Sequence, residues 1–567
     1  MLLFKKTLLL VSILVIKISL LAQIKNELAF PLTIPVSLSA NFGEYRLNHF
    51  HSGIDIKTMK QIGFPVINIY DGYISRIKIQ SAAYGKTLYI NHPNGITSVY
   101  AHLNNFIPQI ENFVKKAQYE RNSYEIDIFL DSTIFKLKKG DTIAFSGNSG
   151  NSSGPHLHFE IRDSKTENVL NPLLLYKNIP DFYPPFAKNI VLYRFFGNGL
   201  YNNSKKYFNL KKINDSIYTF DTIILENGLF GIGIETLDFI DNNENTCNIY
   251  SLKMTFDNDT LYSSVFDEFS FSETQYINSF LDYSELVSGK KYIQKLFIEP
   301  NNNLSIYKSN KNGLISLSDT LLHKIYIEIT DIRNNKIKVF FYVKTKPNIK
   351  DIFEKPAGKY KKIMPYNQVN TFKNNEISLE FPENSFYDTL LFSYSKEKGS
   401  LNFYSYIHNV NKFDVPVHKK FKISILPHNL DESLFQKALI CYFGNKNQII
   451  AVGGEFEKNK ISAYTGTFGK YFIMIDTIKP VIKPVINKND TIEKNKIEFK
   501  ITDDLSGIKN YSGFIDDKWV LFEYDKKNDL ITYFFDENIT SNMNHSIKII
   551  VTDNRDNMSI YNGTFYY

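Results

Sequence analysis

The sequence of 567 residues predicts a mostly β chain: a small antiparallel β domain in the first third, followed by several β-sandwich modules resembling immunoglobulin folds. Three observations predict it. From Leu32 to about Tyr176, short apolar runs are punctuated by Gly, Asn and Pro turns, with little helical periodicity. Pro180, Pro184 and Pro185 then mark a stiff boundary, because proline fixes its own backbone and restricts its neighbour's. Beyond it one signature recurs, since Ile329-Thr330-Asp331-Ile332-Arg333-Asn334 and Val551-Thr552-Asp553-Asn554-Arg555-Asp556-Asn557 both lie between alternating apolar strands. That recurrence implies the same hairpin turn in two related sandwiches.

Residues 1–22 read as a secretory signal peptide. Lys5 and Lys6 precede the apolar run Leu8 to Ile16, and the segment closes at Leu21, Ala22 and Gln23. Lys17 cuts the run short of the roughly 20 residues that span a bilayer, and no later segment approaches that length. The expected mature protein is exported to the periplasm or beyond, with no stable membrane span.

Residues 23–185 form the first domain. Asp71-Gly72 and Asn94-Gly95 are hairpin dipeptides, because both favour positive backbone angles. The hairpin from Lys86 to Asn91 and back through Thr97 to Leu103 delivers His102 on rigid sheet. Residues 104–135 are a polar insertion with room for a short helix, read as a surface loop or as a lid beside the site. A β-sandwich module over 186–348, a β-rich module over 349–477 and a second sandwich over 478–567 follow. Lys479-Pro480 and Lys483-Pro484 support the last boundary.

Composition narrows the function classes. Hydrophobic residues at 43% and charged residues at 22% are ordinary for a globular chain, so neither disorder nor a multi-span membrane protein fits. The net charge of +7 comes from scattered Lys without a basic stripe, which argues against a nucleic-acid partner. Cys247 and Cys441 fall in different modules and are read as free buried thiols. The Asp-rich turns are read as turn chemistry and not as calcium sites, because Asp and Asn readily hydrogen-bond their own turn backbone.

Of the 11 histidines, six fall between positions 49 and 158. In Phe50-His51-Ser52-Gly53-Ile54-Asp55, an imidazole and a carboxylate stand four residues apart, with Gly53 allowing a tight path between them. In Gly154-Pro155-His156-Leu157-His158-Phe159-Glu160, strand alternation places both histidines on one face and Leu157 and Phe159 toward the core. His51, Asp55 and one histidine of that pair supply three protein ligands, leaving a fourth position for water, as a catalytic zinc requires.

These motifs, with Tyr-Ala-His-Leu around His102 and Ser-Gly-Asn-Ser-Gly before the histidine pair, resemble the lysostaphin-like zinc metallopeptidases, called LytM or M23 peptidases. The resemblance spans roughly Phe42 to Leu173. It implies that His51, Asp55 and His158 bind Zn²⁺ and that His102 and His156 are the catalytic pair. It also implies an endopeptidase acting on peptidoglycan peptides. The C-terminal β modules, outside the resemblance, are read as a surface for a cell-envelope protein partner. The intact ligand set favours an enzyme over the alternative, a non-catalytic wall-binding or hydrolase-activating scaffold. A secreted protease acting on Gly-rich protein is a third reading.

Around this set, His49 and His92 are read as surface or strand-end residues. Asn148, Ser149, Asn151, Ser152 and Ser153 form a polar loop that serves either as a plain turn or as a substrate contact. Glu160 is read as structural, paired with Arg162.

Overall fold

A computed structural model of the chain describes residues 28–567 except 198, 241–244, 290, 310, 348–350, 356–359 and 486–494. The expected signal peptide and the boundary at 348 lie outside the described residues.

The first domain is built on one antiparallel sheet. In spatial order it runs from Leu38–Ala40 through β1 (Ile54–Lys57), β6 (His156–Asp163), β4 (Ile96–Phe106), β3 (Lys86–Asn91) and β2 (Gly72–Ile79) to Lys136–Leu137. A further strand, β5 (Thr142–Ser146), pairs with the end of β4. Central position explains why β6 reads as apolar on one face: Leu157, Phe159 and Ile161 are fully buried. The β3–β4 hairpin turns at Asn94-Gly95, with Gly95 at φ 82°. Asp71-Gly72 does not make a hairpin. Gly72 opens β2, and a Cβ there would stand 2.4 Å from the Asn91 carbonyl oxygen, so the glycine serves a close approach between strands.

The insertion contains helix α1 (Pro108–Arg121), started by Pro108 and ended by Asn122 at φ 46°. Ile110, Val114 and Gln118 recur every four residues and form its buried stripe. Its other side meets the last module. Tyr119 Oη donates to Asp536 at 2.7 Å, Lys115 pairs with Asp536 at 3.0 Å, and the Tyr119 ring packs edge-on against Trp519 at 5.3 Å. Pinned on two sides, α1 is a docking element and not the loose loop or lid its polar sequence suggests.

Three paired-sheet units follow. Between Phe186 and Thr345 a six-stranded and a seven-stranded sheet enclose one core. Two five-stranded sheets lie between Asn370 and Ile475, and two four-stranded sheets between Val481 and Tyr566. Both recurring Thr-Asp turns join adjacent antiparallel strands, His323–Thr330 to Lys336–Thr345 and Asn544–Asp553 to Met558–Tyr566.

The units touch in a closed circuit. Phe42 and Phe50 pack on Phe269 and Phe266 of the second unit, whose Glu268–Phe269 also extends the first domain's sheet through Val169–Leu170. Asn301 Nδ2 donates to the Phe386 carbonyl of the third unit at 2.7 Å. Lys437 of the third donates to Asn557 of the fourth at 2.7 Å. Lys86 Nζ pairs with Glu523 at 3.0 Å, returning the fourth unit to the first. Among the described residues, no helix is long and apolar enough to cross a membrane.

Candidate metal centre

Register brings the predicted ligands together. His158 on β6 lies directly opposite Asp55 on β1 and Ala101 on β4. His51 reaches the same point because the chain from His51 to Asp55 hugs β6 at Gly53, where a Cβ would stand 2.2 Å from the Phe159 carbonyl oxygen. His51 Nε2 is then 3.0 Å from Asp55 Oδ1, His158 Nδ1 is 2.8 Å from the same oxygen, and the two ring nitrogens are 3.0 Å apart.

The outer edges of both rings decide what these atoms are. His51 Nδ1 lies 2.7 Å from the Asn41 carbonyl, which can only accept, so Nδ1 carries the hydrogen and Nε2 is left a lone pair. His158 Nε2 lies 3.0 Å from Glu160 Oε1, which likewise places the hydrogen there and frees Nδ1. Two imidazole lone pairs and a carboxylate oxygen therefore converge with no hydrogen between them, an arrangement suited to a cation. A proton is the competing cation. Burial lowers the His158 pKa, but hydrogen bonds to Asp55 and Glu160 overcome this and raise it to about 9. Burial also opposes ionisation of Asp55, yet the surrounding histidines hold its carboxyl well below the usual range. Its second oxygen, Oδ2, is 3.4 Å from Arg46 Nη2.

His102 and His156 stand beside this group with ring centroids 4.9 Å apart. His102 sits at a β-bulge. Between the pairs Leu88↔Tyr100 and Lys86↔Leu103, β4 advances one residue more than β3, and His102 takes φ 58°. A bulge re-aims one side chain without ending the sheet. Its Nδ1 lies 2.8 Å from the Ser149 carbonyl, which leaves Nε2 an acceptor. Burial and then the charges of His158 and His156 push the His102 pKa down to about 3, so the ring is neutral. His156 Nδ1 is 2.8 Å from the Gly154 carbonyl, and its Nε2 faces Asp55 Oδ1 at 3.5 Å.

The polar loop after β5 thus positions both rings. Ser149 Oγ is fastened between the Leu103 carbonyl at 2.8 Å and the Lys86 amide at 2.9 Å, and Ser152 Oγ lies 3.1 Å from His156 Nδ1. Glu160 pairs with Arg162 Nη2 at 2.6 Å, and it also holds His158. Burial would raise the Glu160 pKa, and the Arg162 charge and the His158 bond override it and keep the group ionised. His92 is buried and braces Asp71 and Ser98, while His49 is exposed. Sequence reasoning missed Asn41, Arg46 and Tyr84. Tyr84 stacks on His158 at 5.1 Å and donates to Glu160 at 2.5 Å. No spacing in the sequence singles these out, because each acts through a contact made only in the fold.

Residues 49–119, which hold three of the five clustered groups, match the model of Peptidase family M23. Over that stretch the chain resembles the M23 peptidases. Among curated relatives, the DD-carboxypeptidase/endopeptidase Mpg of Neisseria meningitidis serogroup B (strain MC58) is 33% identical over 131 residues, 22% of this chain and 24% of that protein. An uncharacterized metalloprotease of Haemophilus influenzae is 31% identical over 123 residues, 22% and 20% of the two chains. The peptidoglycan DD-endopeptidase ShyA of Vibrio cholerae serotype O1 is 29% identical over 138 residues, 23% and 26%. The M23 match therefore spans about a quarter of the Neisseria relative's length. Residues 361–476 match the model of a Zu5-like domain.

Proposed function

We propose that the protein is an exported zinc metalloendopeptidase that hydrolyses peptide bonds in the crosslinks or stems of bacterial peptidoglycan. The observation carrying this reading is the convergence of His51 Nε2, Asp55 Oδ1 and His158 Nδ1, with both outer ring edges tied to acceptors. The donor set fits zinc, which takes imidazole nitrogen and carboxylate oxygen and, in catalytic sites, three protein ligands. Held by these residues, zinc would polarise a peptide carbonyl and acidify a water.

The chain's own groups do the rest. His102 and His156 each tie Nδ1 to a backbone carbonyl, so both turn Nε2 toward the metal group. Such a pair is suited to take a proton from an attacking water and return it to the departing amine. Export and a periplasmic or extracellular location belong to the same proposal, since peptidoglycan lies outside the cytoplasmic membrane. The relatives named as DD-endopeptidases support the substrate class.

The test is incubation of the purified protein with isolated peptidoglycan, with and without chelator and beside Asp55→Ala, reading soluble fragments by mass spectrometry. New peptide termini that vanish with chelator and in the variant are expected. A folded, zinc-loaded protein that releases nothing would favour the wall-binding scaffold instead.

A further inference from the structure

Where the first domain meets the second unit, three carboxylates from distant parts of the chain come together. Asp181 lies in the segment leading into Phe186–Phe195, Asp238 near the end of the strand Gly228–Phe239, and Asp331 in the first recurring turn. One oxygen of each lies within 4.8 Å of the others, and all three residues are buried. Asp331 is held by its own turn, accepting from the Arg333 and Asn335 amides at 2.8 Å each. Asp181 Oδ1 likewise accepts from the Tyr183 amide at 3.3 Å, so local turns account for these two carboxylates and not for Asp238.

Asp238 is the independent observation. It is 1% exposed, and its Oδ1 has no hydrogen-bond partner among the described residues. An unsatisfied carboxylate oxygen in the interior is costly, and two further carboxylates at this range make ionisation more so. Arg333 makes no bond to Asp238: its guanidinium donates to the carbonyls of Leu173, Tyr176 and Ile179, and its charge acts on Asp181 and Asp331. The arrangement is also repeated. Asp476, Asp503 and Asp553 form a second triplet, and Asn557 donates to the Asp476 carbonyl at 3.0 Å as Asn335 does to the Asp181 carbonyl at 3.0 Å.

We propose that Asp181, Asp238 and Asp331 form a calcium site that fastens the first domain to the second unit. The donor set is all oxygen, three carboxyl groups with neither imidazole nor thiolate, which selects a hard cation. Calcium suits it better than magnesium, because magnesium dehydrates reluctantly and demands near-ideal octahedral geometry. This reverses the reading of the Asp-rich turns as turn chemistry alone, and it is independent of what the zinc centre cuts.

The test uses the full, zinc-loaded protein in calcium-free buffer. Bound calcium is counted by equilibrium dialysis up to about 10 mM, above the 10⁻⁴–10⁻³ M dissociation constants of extracellular modules, and unfolding is followed by calorimetry. The expected result is a saturable rise in melting temperature with calcium and not with magnesium. Asp238→Asn is expected to bind one calcium fewer per chain while keeping its zinc. Wild-type protein that binds no calcium, or a variant that binds as much as wild type, overturns the proposal. Asp181→Asn provides the same comparison if Asp238→Asn does not fold.

Discussion

Glu160 Oε1 holds the Nε2 edge of His158 at 3.0 Å, and this contact turns the Nδ1 lone pair toward Asp55. Losing such a ligand-orienting partner typically costs about 10–100-fold in metal affinity. Glu160→Gln is therefore expected to weaken zinc binding by that order in a competitive chelator titration. Glu160→Ala also strands the buried Arg162, and removing one partner of a buried pair costs about 3–5 kcal/mol, which a denaturant titration would read.

His102 and His156 separate catalysis from metal binding. Either one replaced by Ala should leave one zinc per chain by native mass spectrometry. Peptidoglycan cleavage should fall about 10²–10⁴-fold, the range for losing a positioned proton-transfer group. Equal loss of metal and activity would instead make the residue a ligand.

Asp238 gives a pH dependence with a definite sign. Burial, and then the charges of Asp181 and Asp331, raise its pKa from 3.8 to about 8. A group protonated to higher pH in the fold than in the unfolded chain contributes stability that is full below 3.8 and is lost as pH rises through about 8. In calcium-free buffer the melting temperature should fall between pH 4 and pH 8 by more in wild type than in Asp238→Asn. Added calcium should remove that difference at pH 8.

Trp519 is the chain's single tryptophan and packs on Tyr119 of α1. Its fluorescence is thus a local report of whether the last unit is seated. Tyr119→Ala removes both the ring contact and the bond to Asp536, so the emission should move to longer wavelength while zinc content is unchanged.

Four of the clustered residues could be found in the sequence because strand alternation and short local spacing carry them, and His102 through the resemblance of Tyr-Ala-His-Leu. His156 and His158 share a face by period two, and His51 and Asp55 are bridged by one glycine. What holds them could not be found that way. The Asn41 carbonyl, the Ser149 carbonyl and the Tyr84 ring act across long separations or through backbone atoms that any residue type offers. The polar face of α1 looked like surface because its partners, Asp536 and Trp519, lie some 400 residues away in the chain. The strand Glu268–Phe269 was hidden for a similar reason, since it completes the sheet of a domain that closes about a hundred residues earlier.

The circuit of contacts has a mechanical consequence. Four bodies on a string can swing at three joints, but once the fourth is fastened to the first through Lys86 and Glu523, no joint can turn without another giving way. The last unit also reaches the histidine-positioning loop, through Lys527 and the Asn148 carbonyl, so a movement at any joint is felt beside His102.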